Sequence, residues 1–412
     1  MWIMARKKLI YTIVLLLMSV VAYAQVGTNS PYSRYGYGML NDNSPVIYKG
    51  MGGVGIGMRF NRAINPLQPA SYTSIDSMTF MFDAAARVGW SRYRDASGVK
   101  NKGEGNLDYI TLQLPIWKRH FGLSLGLLPF SSVGYDLTFT DETIGQSTYK
   151  YTKSYTGEGG ISQFYAGLAG NIADWVSLGF NFHYLFGDIE NGRELVFQDS
   201  KISGMSRGAL MQVRAWKFRF GAQVFHEFEK HAFSVGAIYE YQKPMNNTFI
   251  ELSETFLDTI TVVRDGMSLP QVWGVGVSYI WDNRLTIGID FEVQEWEKAG
   301  FMQGTPYEIP LNQMNRYALG LEYRHNEMGQ NYAERMSWRA GVSYKRSYIQ
   351  SLPMQEWKAS IGIGFPLRMV GTQFNISVEY IHRGAINSLR ENGLQVTFDA
   401  AIREMWFFKR KI

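Results

Sequence analysis

The chain has 412 residues, no cysteine, 15% aromatic residues, 42 glycines and only 12 prolines. Without cysteine there are no disulfides, no thiolate metal sites and no thiol nucleophile. The formal charge is +5, but Arg6, Lys7 and Lys8 supply three of those charges, so the rest of the chain carries +2 and no basic stripe that would bind nucleic acid.

The first element is a leader. Those three cations precede an apolar run from Leu9 to Val21, and Ala22-Tyr23-Ala24 makes a small-residue cleavage site before Gln25. The pattern predicts a secretory signal peptide over residues 1–24, cleaved after Ala24. No lipobox cysteine follows, so no lipid anchor is expected.

Residues 25–77 differ from everything after them. They are rich in Gly, Asn, Ser, Pro and Tyr and show no alternation, yet hold too many aromatic and apolar residues for a disordered leader. An ordered N-terminal hatch, packed inside a barrel, is expected here. Within it, "KGMGGVGIGM" contains a literal G-x-G-x-x-G at Gly50, Gly52 and Gly55. That motif binds a pyrophosphate only after a strand and at a helix N-terminus. No strand pattern precedes it, and Pro66 and Pro69 interrupt any helix after it. The glycines are better read as places where backbone passes close to a wall.

From 78 to 412 one pattern recurs: about ten residues of alternation, then a turn. In "RLTIGIDFEV", Leu285, Ile287, Ile289, Phe291 and Val293 share one face; Thr286, Gly288, Asp290 and Glu292 share the other. "WKASIGIGF", "QFNISVEY" and "LQVTFDAAIR" alternate likewise. Period two over this length means strands with two unlike faces. The strands are long for a soluble sheet. Trp273, Trp281, Trp296, Trp338, Tyr344 and Trp406-Phe407-Phe408 gather at strand ends, as interfacial girdles do. A leader without helical spans then points to a closed barrel in the outer membrane. The fold class expected is all-β: a transmembrane antiparallel barrel of about 14 strands, with long connections at 94–106, 187–208, 243–269 and 297–313.

Two further motifs carry little. Gly204-Met205-Ser206-Arg207-Gly208 matches a nucleophile elbow but ends a polar loop without its strand-turn-helix setting. His226-Glu227-Phe228-Glu229-Lys230-His231 has one residue too many for a zinc H-E-x-x-H and falls at a β-turn. No catalytic residue, metal or cofactor is expected.

"MGGVGIG" followed by "NRAINPLQPASYTSID" resembles the hatch of the FadL-like outer-membrane channels for long-chain fatty acids and hydrocarbons. "LPFSSVGY", "LPQVWGVGVSY", "DFEVQEW" and the closing "MWFFKRKI" are similar to later pieces of that family. The resemblance implies a 14-stranded barrel with an N-terminal plug. It also implies a substrate path past a hatch that includes Met51, Gly52, Gly53, Asn65, Pro66, Pro69 and Ala70. The acidic inner residues Asp290, Glu292 and Glu379 depart from an apolar path. Two functions are compatible with this reading. One is a passive uptake channel for hydrophobic small molecules such as fatty acids. The other is a non-transporting barrel subunit of a larger outer-membrane secretion or barrel-assembly complex. The expected partners are outer-membrane lipid and lipopolysaccharide, the barrel-assembly machinery and other proteins of such a complex.

Overall fold

The structure, a computed structural model, describes residues 28–95, 98–117, 120–143, 149–199, 201–254, 259–367, 372–384 and 389–405. The leader at 1–24 and the aromatic close at 406–412 lie outside the described residues. The alternating segments form fourteen strands: β1 (Thr79–Asp95), β2 (Gly98–Trp117), β3 (Phe121–Thr143), β4 (Tyr149–Ala173), β5 (Val176–Phe197), β6 (Met205–Phe228), β7 (His231–Glu240), β8 (Val272–Trp281), β9 (Leu285–Gln294), β10 (Met314–Arg324), β11 (Ser337–Arg346), β12 (Gln355–Pro366), β13 (Gln373–Gly384) and β14 (Arg390–Met405). Each pairs antiparallel with its successor, and β14 pairs with β1 from Arg390–Arg94 to Met405–Thr79, which closes the barrel. Closure pairs neighbouring strands all round the barrel, as a sheet in lipid requires, though β2 and β3 pair only from Ile110–Leu127 to Trp117–Phe121.

The faces are inverted relative to a soluble sheet. In β9, Ile289 is exposed while Asp290 is buried; in β12, Trp357 and Ile361 are exposed while Lys358 and Ser360 are buried. In β13, Tyr380 faces out, and Asn375, Ser377 and Glu379 are fully covered. The outward apolar set is the lipid-facing band of a transmembrane barrel. Trp273, Trp281 and Trp338 lie on that outer surface, but Trp296 does not: it is turned inward and 1% exposed.

Tight turns gather at one end, where β1 begins and β14 ends. The other end is built very unequally. Strands β7 to β9 have 10 residues each, enough to cross the apolar band and no more. Strand β4 has 25 and β6 has 24. At about 3.3 Å per residue and a tilt of about 40°, they rise roughly 60 Å, more than twice an apolar band of ~25 Å. Two expected loops are therefore ladder instead. The β1–β2 pairing continues to Asp95–Gly98, and the β5–β6 pairing to Leu195–Met205. Above the membrane both faces are wet, so the apolar alternation stops; the backbone hydrogen bonds do not depend on it and continue. The 243–269 segment likewise adds strands Lys243–Glu254, paired to the upper part of β6, and Thr259–Arg264.

Residues 28 to 78 run down the lumen from the long-loop end to the start of β1. Most are buried, and they bond to strands all round the wall. The seat is made of glycines. "MGGVGIG" lies flat across β7 to β11, and at each strand a wall glycine meets it. A Cβ on Gly341 (β11) would lie 2.1 Å from the Gly52 nitrogen, on Gly320 (β10) 2.3 Å from the Met51 carbonyl, and on Gly236 (β7) 2.0 Å from the Ile56 carbonyl. Pro69 and Tyr72 rest similarly on Gly179 (β5) and Gly122 (β3).

Because a methyl group cannot occupy backbone volume, Gly341→Val should displace the plug at a cost of about 1–3 kcal/mol while the barrel still closes. The cysteine-free sequence makes this measurable. A Met51→Cys reporter should resist maleimide in the parent and react in the Gly341→Val background, with heat-modifiable gel migration retained in both.

Candidate functional site

The glycine stretch and the proline element, separate in sequence, are one unit in the lumen. Asn65 Nδ2 donates to the Gly55 carbonyl at 2.7 Å, and Gln68 Nε2 to the Ile56 carbonyl at 3.1 Å. Pro69 and Ala70 open a short 3-10 helix, Pro69–Ser74, capped by the Gln68 side chain. Each expected hatch residue has a fixed partner or seat. Met51 is fully buried beneath β10 and β11. Gly52, with φ +71°, donates to Ser360 Oγ at 2.8 Å. The Gly53 carbonyl accepts from Arg316 Nη2 at 2.6 Å. The Pro66 carbonyl accepts from Asn181 Nδ2 at 3.0 Å, and that of Ala70 from Ser177 Oγ at 2.8 Å.

The nucleotide-like motif has an anion, but the wall provides it. The successive amides of Gly55, Ile56 and Gly57 point at the carboxylate of Asp290, at 2.5, 2.8 and 3.3 Å. Consecutive backbone N–H groups form a nest for a negative charge. Here a β9 side chain fills the nest that a phosphate would occupy in an enzyme.

Around this unit lies a network of buried ion pairs between plug and wall. Lys49 meets Asp108 at 2.6 Å with both side chains nearly inaccessible. Asp42 sits between Arg316 (3.5 Å) and Lys358 (3.4 Å), and Lys358 also reaches Glu379 at 3.2 Å. Arg62 pairs with Glu322, which Arg339 also holds at 2.7 Å. At the far end Arg403 of β14 pairs with Asp76. Burial alone would raise the Asp42 carboxyl, but Arg316 and Lys358, with a hydrogen bond from Ser44, hold it far below the usual carboxylate range. Asp42, Lys49 and Arg62 read as ordinary polar loop residues in the sequence. The opposite half of the network was visible, because Asp290, Glu292 and Glu379 stand on the inner face of alternating strands.

The mouth above the plug is closed by loops. Tyr37 stacks among Trp296, Phe301 and Tyr348, with ring centroids 5.1, 5.1 and 6.4 Å away, and its hydroxyl donates to the Ser268 and Gly300 carbonyls. This cluster is why Trp296 left the girdle. Two cavities of about 40 and 90 Å³ remain in the middle of the lumen. Both have charged linings, including Asp42, Lys358 and Glu356. They have room for a few waters each and lie far below the roughly 300 Å³ of a small-ligand site. Larger spaces lie at the ends: about 760 Å³ among the tall strands, beside Tyr135, Leu210 and Leu252, and about 950 Å³ at the short-turn end. The other sequence motifs do not assemble sites. Ser206 lies in the β6 ladder, and His226 and His231 flank the β6–β7 turn, where His231 bonds the Tyr279 hydroxyl at 2.8 Å.

With this geometry in view, comparison with known proteins is informative. The sequence model of the BamG family matches residues 4–412. The chain belongs to the BamG family. No curated protein matches it in sequence. Among solved structures, it is similar to the Ralstonia pickettii toluene transporter TbuX (TM-score 0.59, 13% identity, covering 89% of this chain and 100% of that one). It is likewise similar to the Pseudomonas putida toluene transporter TodX (TM-score 0.59, 10% identity, 89% and 100%) and to the CymD monoaromatic hydrocarbon channel (TM-score 0.57, 14% identity, 89% and 98%). A Pseudomonas aeruginosa FadL homologue also shares the fold (TM-score 0.57, 12% identity). This BamG-family chain therefore has a FadL-like barrel.

Breaking one partner of a buried pair leaves an uncompensated charge, at roughly 3–5 kcal/mol. Asp42→Asn should lower the temperature at which the folded gel band disappears. A carboxylate held below its unfolded value stabilises the fold above the ordinary range of about 4 and loses that contribution as pH falls. The parent's melting temperature should therefore be flat from pH 8 to 5 and drop below about pH 4; in Asp42→Asn the drop should be smaller.

Proposed function

We propose that this protein is a non-transporting barrel subunit of a larger outer-membrane complex, one engaged in protein secretion or barrel assembly. The observation that carries the reading is the filled lumen. A passive channel for a hydrophobic molecule needs a continuous path of apolar walls. Between the two end chambers, the described residues enclose two small cavities that charged side chains help to line, and the plug is tied to the wall by buried ion pairs on both sides. Opening it would strand Asp42, Lys49 and Arg316 without their partners.

The unequal wall supports the same reading. The tall strands and their added hairpin stand clear of the membrane. There Leu252 pairs with Ile260 and Ile250 with Val262, on the face opposite the buried Glu251 and Ser253. Leu252, Ile260 and Val262 are exposed at a level where no lipid covers them. Apolar groups held out on a rigid sheet suit contact with another protein. The low formal charge and the membership in the BamG family are compatible with this role.

The second reading, passive uptake of hydrophobic molecules such as fatty acids, rests on one feature. The space of about 760 Å³ among the tall strands includes Tyr135, Leu210, Ile250 and Leu252 and could capture an apolar ligand. Native mass spectrometry of the protein, extracted in mild detergent with a tag on an added C-terminal linker, separates the two. A stoichiometric assembly with other envelope proteins, and no lipid-sized adduct, is the expected result. A lone barrel carrying fatty-acid-sized adducts would replace the first reading by the second.

A further inference from the structure

The tall part of the wall ends in an open sheet edge. From Thr259 the chain descends in one line through Thr259–Arg264 and Met267–Leu269 into β8. On one side this line pairs with Lys243–Glu254 and then with β7. On the other it pairs with β9 and, higher up, with the stretch that follows β9. There Glu295 donates to the Gln271 carbonyl at 2.8 Å, Ser268 to the Gly300 carbonyl at 2.9 Å and Met302 to the Gly266 carbonyl at 2.6 Å. At Met302, with φ +53°, the chain turns away. Above Gly266 no described residue continues the ladder on that side.

The ladder tells which groups this leaves unused. The Asp265 amide donates to the Asn247 carbonyl at 3.0 Å, toward the hairpin partner. Backbone groups alternate sides along an antiparallel strand, so those of Thr259, Thr261 and Val263 face the hairpin partner too. The N–H and C=O of Ile260, Val262 and Arg264 point to the open side, in line with the Gly266 carbonyl and the Ser268 amide below them. They span about 14 Å. Among the described residues no hydrogen bond reaches them. Their side chains are exposed, Ile260 by 70% and Val262 by 50%. Such an edge is a template for another strand, and native sheets blunt it with proline, lysine, a bulge or a cover. Thr259 to Val263 contains no proline, no charge and no bulge.

The occupant follows from the geometry. Two copies in one membrane point the same way, so both edge strands descend and cannot continue an antiparallel ladder between them. This chain's own ends leave elsewhere: Asn29 is held by Gly103 and Glu104 of β2, and Met405 ends β14 at the short-turn end. We propose that the edge receives an extended segment of another protein, added as an antiparallel strand above Met302. Its residue opposite Arg264 is acidic and those opposite Val262 and Ile260 are apolar, so from its N-terminal end it reads acid-x-apolar-x-apolar. Arg264 is exposed and has no acidic partner among the described residues. The apolar pair extends the exposed stripe of Leu252, Ile260 and Val262. Cross-strand pairs of both kinds stabilise a ladder, with main-chain bonds giving affinity and alternate side chains giving specificity. The inference rests on the subunit reading and names how a partner is held.

The test uses the full protein, purified in detergent, and two labelled, capped heptapeptides. One has Glu, Val and Ile at alternate positions between threonines; its twin is N-methylated at the Val and Ile, which keeps the side chains and removes the amides. Fluorescence anisotropy should show the first peptide binding about tenfold more tightly than the twin, the loss expected for two backbone hydrogen bonds. Val262→Pro removes an open-side N–H and spares the ladder to Lys243–Glu254. It should bring the first peptide down to the level of the twin, with heat-modifiable migration retained. Arg264→Glu should turn the preference from the Glu peptide to one with Lys in its place. No binding, equal binding of the twin, or binding unchanged in Val262→Pro would overturn the proposal. A purified protein that is dimeric until Val262→Pro is introduced would assign the edge to a second copy instead. These outcomes are separable from the native mass spectrum. A failed peptide leaves an assembly seen there standing, whereas a lone barrel there removes the subunit reading whatever the peptide does.

Discussion

Everything in this molecule depends on how closely the plug backbone approaches the barrel wall. At Gly341, Gly320 and Gly236 plug and wall are at backbone contact, closer than any side chain permits. Those glycines belong to strands spread across half the barrel, and Gly179 and Gly122 seat the proline element on the other half. A plug seated this low fills the cross-section with its own main chain. Its amides and carbonyls must then find partners in the wall, because no water reaches them. Ser360, Asn181, Ser177, Gln223 and Asp290 are those partners.

The electrostatics follow from the same fit. A barrel interior in lipid has polar side chains but little solvent once it is filled, so charges there must be paired. The pairs run between plug and wall, and between neighbouring strands, in nearly every layer. Lys49–Asp108 and the Asp42 group lock the plug in the middle of the lumen, Arg62–Glu322–Arg339 below it, and Arg403–Asp76 at the entry to β1. Pairing of this kind specifies position more than it adds stability. A hydrophobic ligand crossing the lumen would meet desolvated charge at each layer. The barrel thus shares a fold with hydrocarbon channels, while the middle of its lumen is crossed by paired charges.

Much of this could be read from the sequence, for identifiable reasons. Alternation such as Ile289/Asp290 or Tyr380/Glu379 reports the two environments of a membrane strand directly, so fourteen strands and their faces were legible to within a few residues. The upper part of β5 was not, because "GDIENGRELVFQDS" is wet on both faces and the ladder leaves no periodic trace. Trp296 read as a girdle residue, since a tryptophan after a strand looks the same whether it meets lipid or Tyr37. The glycine and proline elements of the plug stood out through composition. Asp42, Lys49 and Arg62 did not, since pairing with β2, β10 and β12 joins positions far apart in the chain. Asp290 was seen as an odd inner charge, but its role as the anion of the Gly55–Gly57 nest needed the three-dimensional contact.

The central claim is that the plug is a permanent part of the wall rather than a moving hatch. Hydrogen exchange of the protein in its native membrane, followed by mass spectrometry over peptides covering 45–72, tests it most directly. The plug amides that bond to Ser360 and Asp290 should exchange as slowly as those of β9 to β12, over hours. Exchange within seconds to minutes in 45–72, while the strands stay protected, would show a plug that opens and would contradict the account.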